Sequence, residues 1–171
     1  MSLFPSEFLD VAAAVLDLCR KQSLTLTAAE SCTGGLISAC FTEVAGASDV
    51  FERGFVTYSN RSKQEMLGVS QLTLERFGAV SKETALEMAQ GAMSRAAAGI
   101  AIAVTGIAGP GGGTQDKPVG LVHLAVCSAA MRSAHQEFKF GDISRAEVRT
   151  ETLLAALGLA REVLLARNQR E

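Results

Sequence analysis

Tryptophan is absent from this chain, tyrosine occurs once and histidine only twice in 171 residues. With so little imidazole, hydrolytic chemistry would need another proton acceptor. None of the four cysteines, Cys19, Cys32, Cys40 and Cys127, forms a CxxC pair. With two histidines, His123 and His135, no zinc site is expected. The cysteines read as reduced thiols of a cytoplasmic protein, three of them core residues. Cys32 adjoins Ser31 and is a rival nucleophile, but no histidine lies nearby to form a thiolate pair, so packing is its first reading. Neither sign of charge dominates: 16 Lys and Arg against 18 Asp and Glu give a net charge of −2, with no basic footprint for nucleic acid. No apolar run reaches membrane-spanning length. Met1–Glu7 lacks the basic-then-apolar pattern of a signal peptide. No repeat, linker or low-complexity tract interrupts the chain.

What is present is Ala, Gly and aliphatic residues, 48% hydrophobic in all. At this length, that composition suits one domain, residues 1–171, with helices lying close on a sheet. Pro5 and Ser6 open a helix to about Gln22, with Phe8, Ala12, Val15, Leu16 and Cys19 at helical spacing. Leu24–Ala28 reads as a strand, Thr33–Glu43 as a helix and Phe51–Tyr58 as a second strand. Asn60 caps a helix to Leu67, Gln71–Phe77 forms another, and Ser81 opens one to about Ala97 with Leu86, Ala89, Met93 and Ala96 along one stripe. Ile100–Val104 is wholly apolar, as a strand buried on both faces would be. Val119–Ser128 and Ser133–Phe140 form a hairpin turning near Ala129–Arg132. A last helix runs from Ser144 to Ala166, burying Val148, Thr152, Ala155, Leu159 and Val163, and Arg167–Glu171 is expected to fray. This order gives an α/β fold, a single mixed sheet with helices packed on both faces. An apolar face on a surface helix could build a homo-oligomer.

Four stretches carry chemistry. The first is Ala29-Glu30-Ser31-Cys32-Thr33-Gly34-Gly35. A serine on a strand-to-helix turn sits beside unpaired helix amides, and those around Thr33 and Gly34 can hold an oxyanion. The ordinary alternative is that Ser31 or Thr33 is a helix cap. The second is Tyr58-Ser59-Asn60-Arg61-Ser62-Lys63. A partly buried Lys63 can act as the base that serine needs, and Tyr58 can relay the proton or polarise a carbonyl. Their ordinary fates are a solvated charge and a half-buried strand end. His123 reads as packed on a sheet face with its ring nitrogens bonded locally, and His135 as facing solvent.

The third is the Gly-rich loop Thr105–Lys117, which lacks the Gly-Lys-Ser/Thr ending of a Walker loop. Thr105, Gly106, Gly109, Gly111 and Gly112 can offer close backbone approach to a phosphate or ribose, and Lys117 a point charge. A plain surface connection is the alternative, although long loops in compact domains are usually functional or disordered. The fourth is Gly141–Arg149, where Arg145 and Arg149 share one helix face and could hold a phosphate or pair with Glu147 or Glu151.

Together these stretches resemble the CinA C-terminal-domain family. The resemblance rests on residues 29–35, on Gly54–Asn60 with Lys63, on Gly78–Ser81, on Thr105–Gly113 and on Lys117–Gly120. It covers roughly Phe8 to Leu164. Stand-alone members are nicotinamide-nucleotide amidases, so the resemblance implies hydrolysis of nicotinamide mononucleotide to nicotinate mononucleotide and ammonia. It maps the family's serine, tyrosine and lysine onto Ser31, Tyr58 and Lys63, and implies no cofactor and no metal. Ile143-Ser144 here separates Gly141-Asp142 from Arg145, where family members often have Gly-Asp-Arg. Full-length relatives carry an N-terminal domain resembling molybdopterin-binding proteins, and nothing of its function is carried over. The expected partner is a small-molecule nucleotide, with neither nucleic acid nor membrane. Two other readings stay open: an amidase for another small carboxamide, and a non-catalytic nucleotide-binding or regulatory module.

Overall fold

The structure is a computed structural model that describes residues 2–129, 131–141 and 143–168. Its elements are α1 (Ser6–Lys21), β1 (Leu26–Glu30), α2 (Leu36–Glu43), a 3-10 turn at Ala47–Asp49, β2 (Phe51–Val56), α3 (Asn60–Leu67), α4 (Gln71–Phe77), α5 (Lys82–Ala96), β3 (Ile100–Gly106), β4 (Leu121–Ser128), β5 (Met131–Lys139) and α6 (Arg145–Asn168). The sheet order is β2-β1-β3-β4-β5. β1 is parallel to β2 and β3, and β4 is antiparallel to β3 and β5. Helices cover both faces of this mixed sheet, as the order of elements in the sequence implies.

The two faces are built differently. Ile100, Ile102 and Val104 of β3 meet the large side chains of α1, α2 and α6, among them Leu16, Phe41 and Leu157. The opposite face is mostly alanine: Ala29, Ala101, Ala103 and Ala125 face Ala85, Ala89 and Ala92 of α5. Small residues on both sides let α5 lie close to the sheet. Gly91 of α5 extends that closeness to the next layer, because a Cβ there would overlap the Leu67 carbonyl oxygen at the end of α3. Gly91→Ala is therefore expected to destabilise the fold by about 1–3 kcal/mol, since backbone cannot yield as a side chain can. Urea unfolding measures it. The sheet edge formed by the carboxyl ends of β1 and β3 is where α/β folds hold ligands, and α3 is tucked against it.

Several boundaries differ from the sequence reading. Leu24 precedes β1, because its N–H is taken by the Cys19 carbonyl at the end of α1 (2.9 Å). Residues 31–35 form a turn rather than the start of α2, with Gly34 and Gly35 at φ +59° and +101°. β2 ends at Val56, leaving Tyr58 beyond it. Ser59, not Asn60, caps α3, accepting from the Ser62 N–H. In α5 the buried stripe is Ala85, Met88, Ala89, Ala92 and Ala96, with Leu86 and Met93 only partly covered. The hairpin strands close in to Ser128 and Met131, and Ala130 lies outside the described residues. In α6, Val148, Thr152, Leu159 and Val163 are buried and Ala155 is partly so. Of the expected fraying segment, Gln169–Glu171 lies outside the described residues, as does Asp142.

Candidate active site

Ser31 is the first residue past β1, and its N–H donates to the Val104 carbonyl of β3 (3.1 Å). This bond extends the β1–β3 ladder and anchors the backbone just where the chain turns. Lys63 lies in the first turn of α3, and its side chain is 1% exposed. The Lys63 Nζ donates to Ser31 Oγ at 2.9 Å and to the Thr57 carbonyl at 2.8 Å. Burial lowers the Lys63 pKa from 10.5 to about 8, because the charged amine loses its hydration. A substantial neutral fraction then exists close to physiological pH. The two atoms form part of one cavity of about 260 Å³. Its other walls are Cys32, Tyr58, the Ala79–Val80 connection, residues 105–109 and 111–112 of the Gly-rich loop, and Arg145.

Glu30, which immediately precedes Ser31, is fully buried. Its Oε2 accepts from Thr33 Oγ1 (2.8 Å), Gly35 N–H (3.0 Å) and Ile37 N–H (3.1 Å). Its Oε1 accepts from Ser38 N–H (2.9 Å) and Ser38 Oγ (2.7 Å). The N-cap position of α2 is Gly35, which has no side chain to offer, so Glu30 caps the helix from outside. This changes which amides can receive an oxyanion. The Gly34 N–H is held by the Ser31 carbonyl (3.1 Å), so that amide does not fit the role expected for it. Among the described residues, no other residue accepts from the Cys32 or Thr33 amide.

A family model, the CinA C-terminal domain, matches residues 9–164. The chain belongs to this family. A CinA-like protein of Kosmotoga olearia is 46% identical over 151 residues, covering 88% of this chain and 36% of that protein. One from Chlorobium phaeovibrioides is 54% identical over 125 residues, covering 72% and 29%. The matches thus cover about 29–39% of the length of the curated relatives. The crystal structure of the competence/damage inducible protein CihA from Agrobacterium tumefaciens superposes with a TM-score of 0.91 at 51% identity, covering 98% of this chain and 99% of that one. A CinA superfamily protein of Klebsiella pneumoniae gives 0.88 at 31% identity, with 93% and 98% covered.

The CinA-family residues named from the sequence fall into two groups. Thr105, Gly106, Gly109, Gly111, Gly112, Tyr58 and Arg145 share the cavity with Ser31 and Lys63. Arg145 Nη1 donates to the Gly109 carbonyl and its Nη2 to Tyr58 Oη, both at 2.8 Å, so one guanidinium ties the loop to the only tyrosine. Tyr58 is 64% exposed, and the direct Ser31–Lys63 bond leaves no gap for it to relay a proton across. Thr105 Oγ1 donates to the Ala79 carbonyl (2.7 Å), pinning the connection on the opposite wall.

Lys117, Arg149, Thr33 and Gly34 lie outside that cavity lining. Lys117 Nζ donates to the Phe77 and Val80 carbonyls at 2.6 and 2.8 Å, fastening the α4–α5 connection to the end of the Gly-rich loop. Arg149 Nη2 donates to the Thr33 carbonyl at 2.9 Å and braces the Ser31 turn from behind. His135 does not simply face solvent: it is half-buried, with Nε2 3.0 Å from His123 Nδ1. Burial holds both imidazoles below their ordinary pKa, with His135 also disfavouring a charge on His123. Burial raises the Cys32 thiol to about 11, which keeps it protonated and weakly nucleophilic. Sequence reasoning gave no role to Glu30, Thr57, Ala79 or Val80. The available signals were a carboxylate directly before the Ser31 turn and the motif Gly78–Ser81.

Proposed function

We propose that this CinA-family chain is a serine amidohydrolase that deamidates nicotinamide mononucleotide. The observation that carries the reading is the 2.9 Å contact between Ser31 Oγ and a buried, pKa-lowered Lys63 Nζ on one cavity wall. A serine hydroxyl becomes an effective nucleophile only when a base takes its proton, and a desolvated amine is such a base.

Neutral Lys63 takes the Ser31 proton as Oγ adds to the carboxamide carbon. Negative charge develops on the amide oxygen, where the N–H of Cys32, which lines the cavity beside Ser31, is the nearest backbone donor. Lys63 returns the proton to the departing nitrogen and ammonia leaves. Water, deprotonated by Lys63, then opens the acyl-enzyme to give nicotinate mononucleotide and free Ser31. The pyridinium charge withdraws electrons and makes the carboxamide a better electrophile. Arg145 suits the nucleotide's phosphate, and the Gly-rich wall admits the ribose closely.

Purified protein incubated with nicotinamide mononucleotide, plain nicotinamide and a set of small carboxamides tests this by ammonia release. The mononucleotide is expected to be hydrolysed and plain nicotinamide to lag by about a hundredfold, for want of phosphate binding energy. Saturable binding with no product would instead support the regulatory-module reading. Fast turnover of another carboxamide would reassign the substrate. Arg145→Ala is expected to raise KM about tenfold with little change in kcat, as loss of binding shared by ground and transition states does. Steady-state kinetics measure it.

A further inference from the structure

We infer that Glu30 is a positioning residue for the Ser31 reaction, clamping the 31–35 turn so that Ser31 meets Lys63 and no other described residue claims the Cys32 amide beside it. The inference rests on the reading of Ser31 as the nucleophile. Helices are ordinarily capped by a residue at their own N-cap position. Here the cap is supplied by the last residue of the interior strand β1, on the same backbone as the nucleophile. The carboxylate therefore joins the entry of the turn, residue 30, to its exit at residues 33, 35, 37 and 38 through five hydrogen bonds of 2.7–3.1 Å. Such charge-assisted bonds are the stronger kind.

Two further observations point the same way. In β2, a Cβ at Gly54 would overlap Ser38 Oγ, so the edge strand leaves room for Ser38 to reach Glu30. From the other side, Arg149 grips the Thr33 carbonyl. The turn is thus held from two sides around Ser31 and Cys32. Its remaining amides are sorted: Gly35, Ile37 and Ser38 go to Glu30, and Gly34 goes to Ser31. Because Glu30 already neutralises the α2 N-terminus, a substrate anion gains nothing by docking there.

Glu30→Gln is the sharp test. A glutamine places an NH₂ where one carboxylate oxygen stood, and either orientation sets it against backbone N–H: Ser38 on one side, Gly35 and Ile37 on the other. The turn has to shift. With the variant verified as folded by circular dichroism, kcat on nicotinamide mononucleotide is expected to fall about a hundredfold with KM within about threefold, the signature of lost positioning. Labelling of Ser31 by a fluorophosphonate should slow in parallel. Wild-type kcat and labelling rate in folded Glu30→Gln would overturn the proposal. Should that variant not fold, the near-isosteric Thr33→Val removes one of the five bonds, with a fall of about tenfold expected in both rates and no change in KM. Unchanged rates there would equally overturn it. Failure of the wild type itself to label at Ser31 would instead remove the nucleophile assignment.

Discussion

Ser31→Ala is expected to lower deamidation of nicotinamide mononucleotide by about 10⁴-fold or more. The loss should fall on kcat, because Oγ is the atom that bonds to the carboxamide carbon and Ala fills the same backbone position. Ser31 is nearly buried, at 8% exposure, and its side chain contributes one hydrogen bond, to Lys63. The fold is therefore expected to survive and the substrate still to bind. Ammonia release measured beside calorimetric binding separates the two. Substantial turnover in this variant would move the nucleophile elsewhere, with Cys32 the adjacent candidate. The raised thiol pKa of about 11 argues against that outcome.

Lys63→Met is expected to reduce kcat by about 10³–10⁴-fold and, at pH 7, to raise the melting temperature. The second effect follows from linkage. The Lys63 pKa is about 8 in the fold against 10.5 for an ordinary lysine. Below about pH 8 both folded and unfolded chains carry the proton, and the fold bears the full cost of burying the charge, about 3 kcal/mol. Between about 8 and 10.5 the unfolded chain binds more protons than the folded one, so wild-type stability rises with pH. Above 10.5 the penalty is gone. Methionine removes the penalty at every pH. It also forfeits the bonds to Ser31 Oγ and the Thr57 carbonyl, at about 1 kcal/mol each. The net gain at pH 7 is about 1 kcal/mol, or about 2–4 °C. Above pH 10.5 the order should invert, with wild type the more stable. Thermal melts of both proteins across this range check the crossing. A residue that weakens the fold where it serves the chemistry is the usual trade between stability and function.

Much of the architecture was legible because its signals are local. The apolar run Ile100–Val104, the period of α1 and the serine cap at position 81 each announce an element without help from distant residues. The stripe of α5 was less legible. Against an alanine-lined sheet the helix buries Ala85, Ala89 and Ala92, so side-chain size no longer marks the inward face. The Ser31 turn and Lys63 stood out by residue type and order, but 32 residues separate the two. Only the parallel pairing of β1 with β2 and the tight α3–α5 packing, which Gly91 allows, bring them together. Glu30 was hidden for the same reason: a carboxylate at a strand end reads as surface charge until its five donors are located. Arg149 and Lys117 read as anion ligands because they are cationic and near the right loops. In three dimensions neither lines the cavity: Lys117 Nζ is held by two backbone carbonyls and Arg149 Nη2 by one.

Catalysis at Ser31 depends on an amine that sheds its proton at about pH 8 and takes the proton of the neighbouring hydroxyl. The pH dependence of wild-type kcat/KM for nicotinamide mononucleotide reports that ionisation in the free enzyme. The profile should climb about tenfold per pH unit on its acid limb, bend at about 8 and level off above it. A profile flat from about pH 6 to 9, or one still climbing without a bend toward the ordinary lysine value of 10.5, would contradict the assignment of Lys63 as the base.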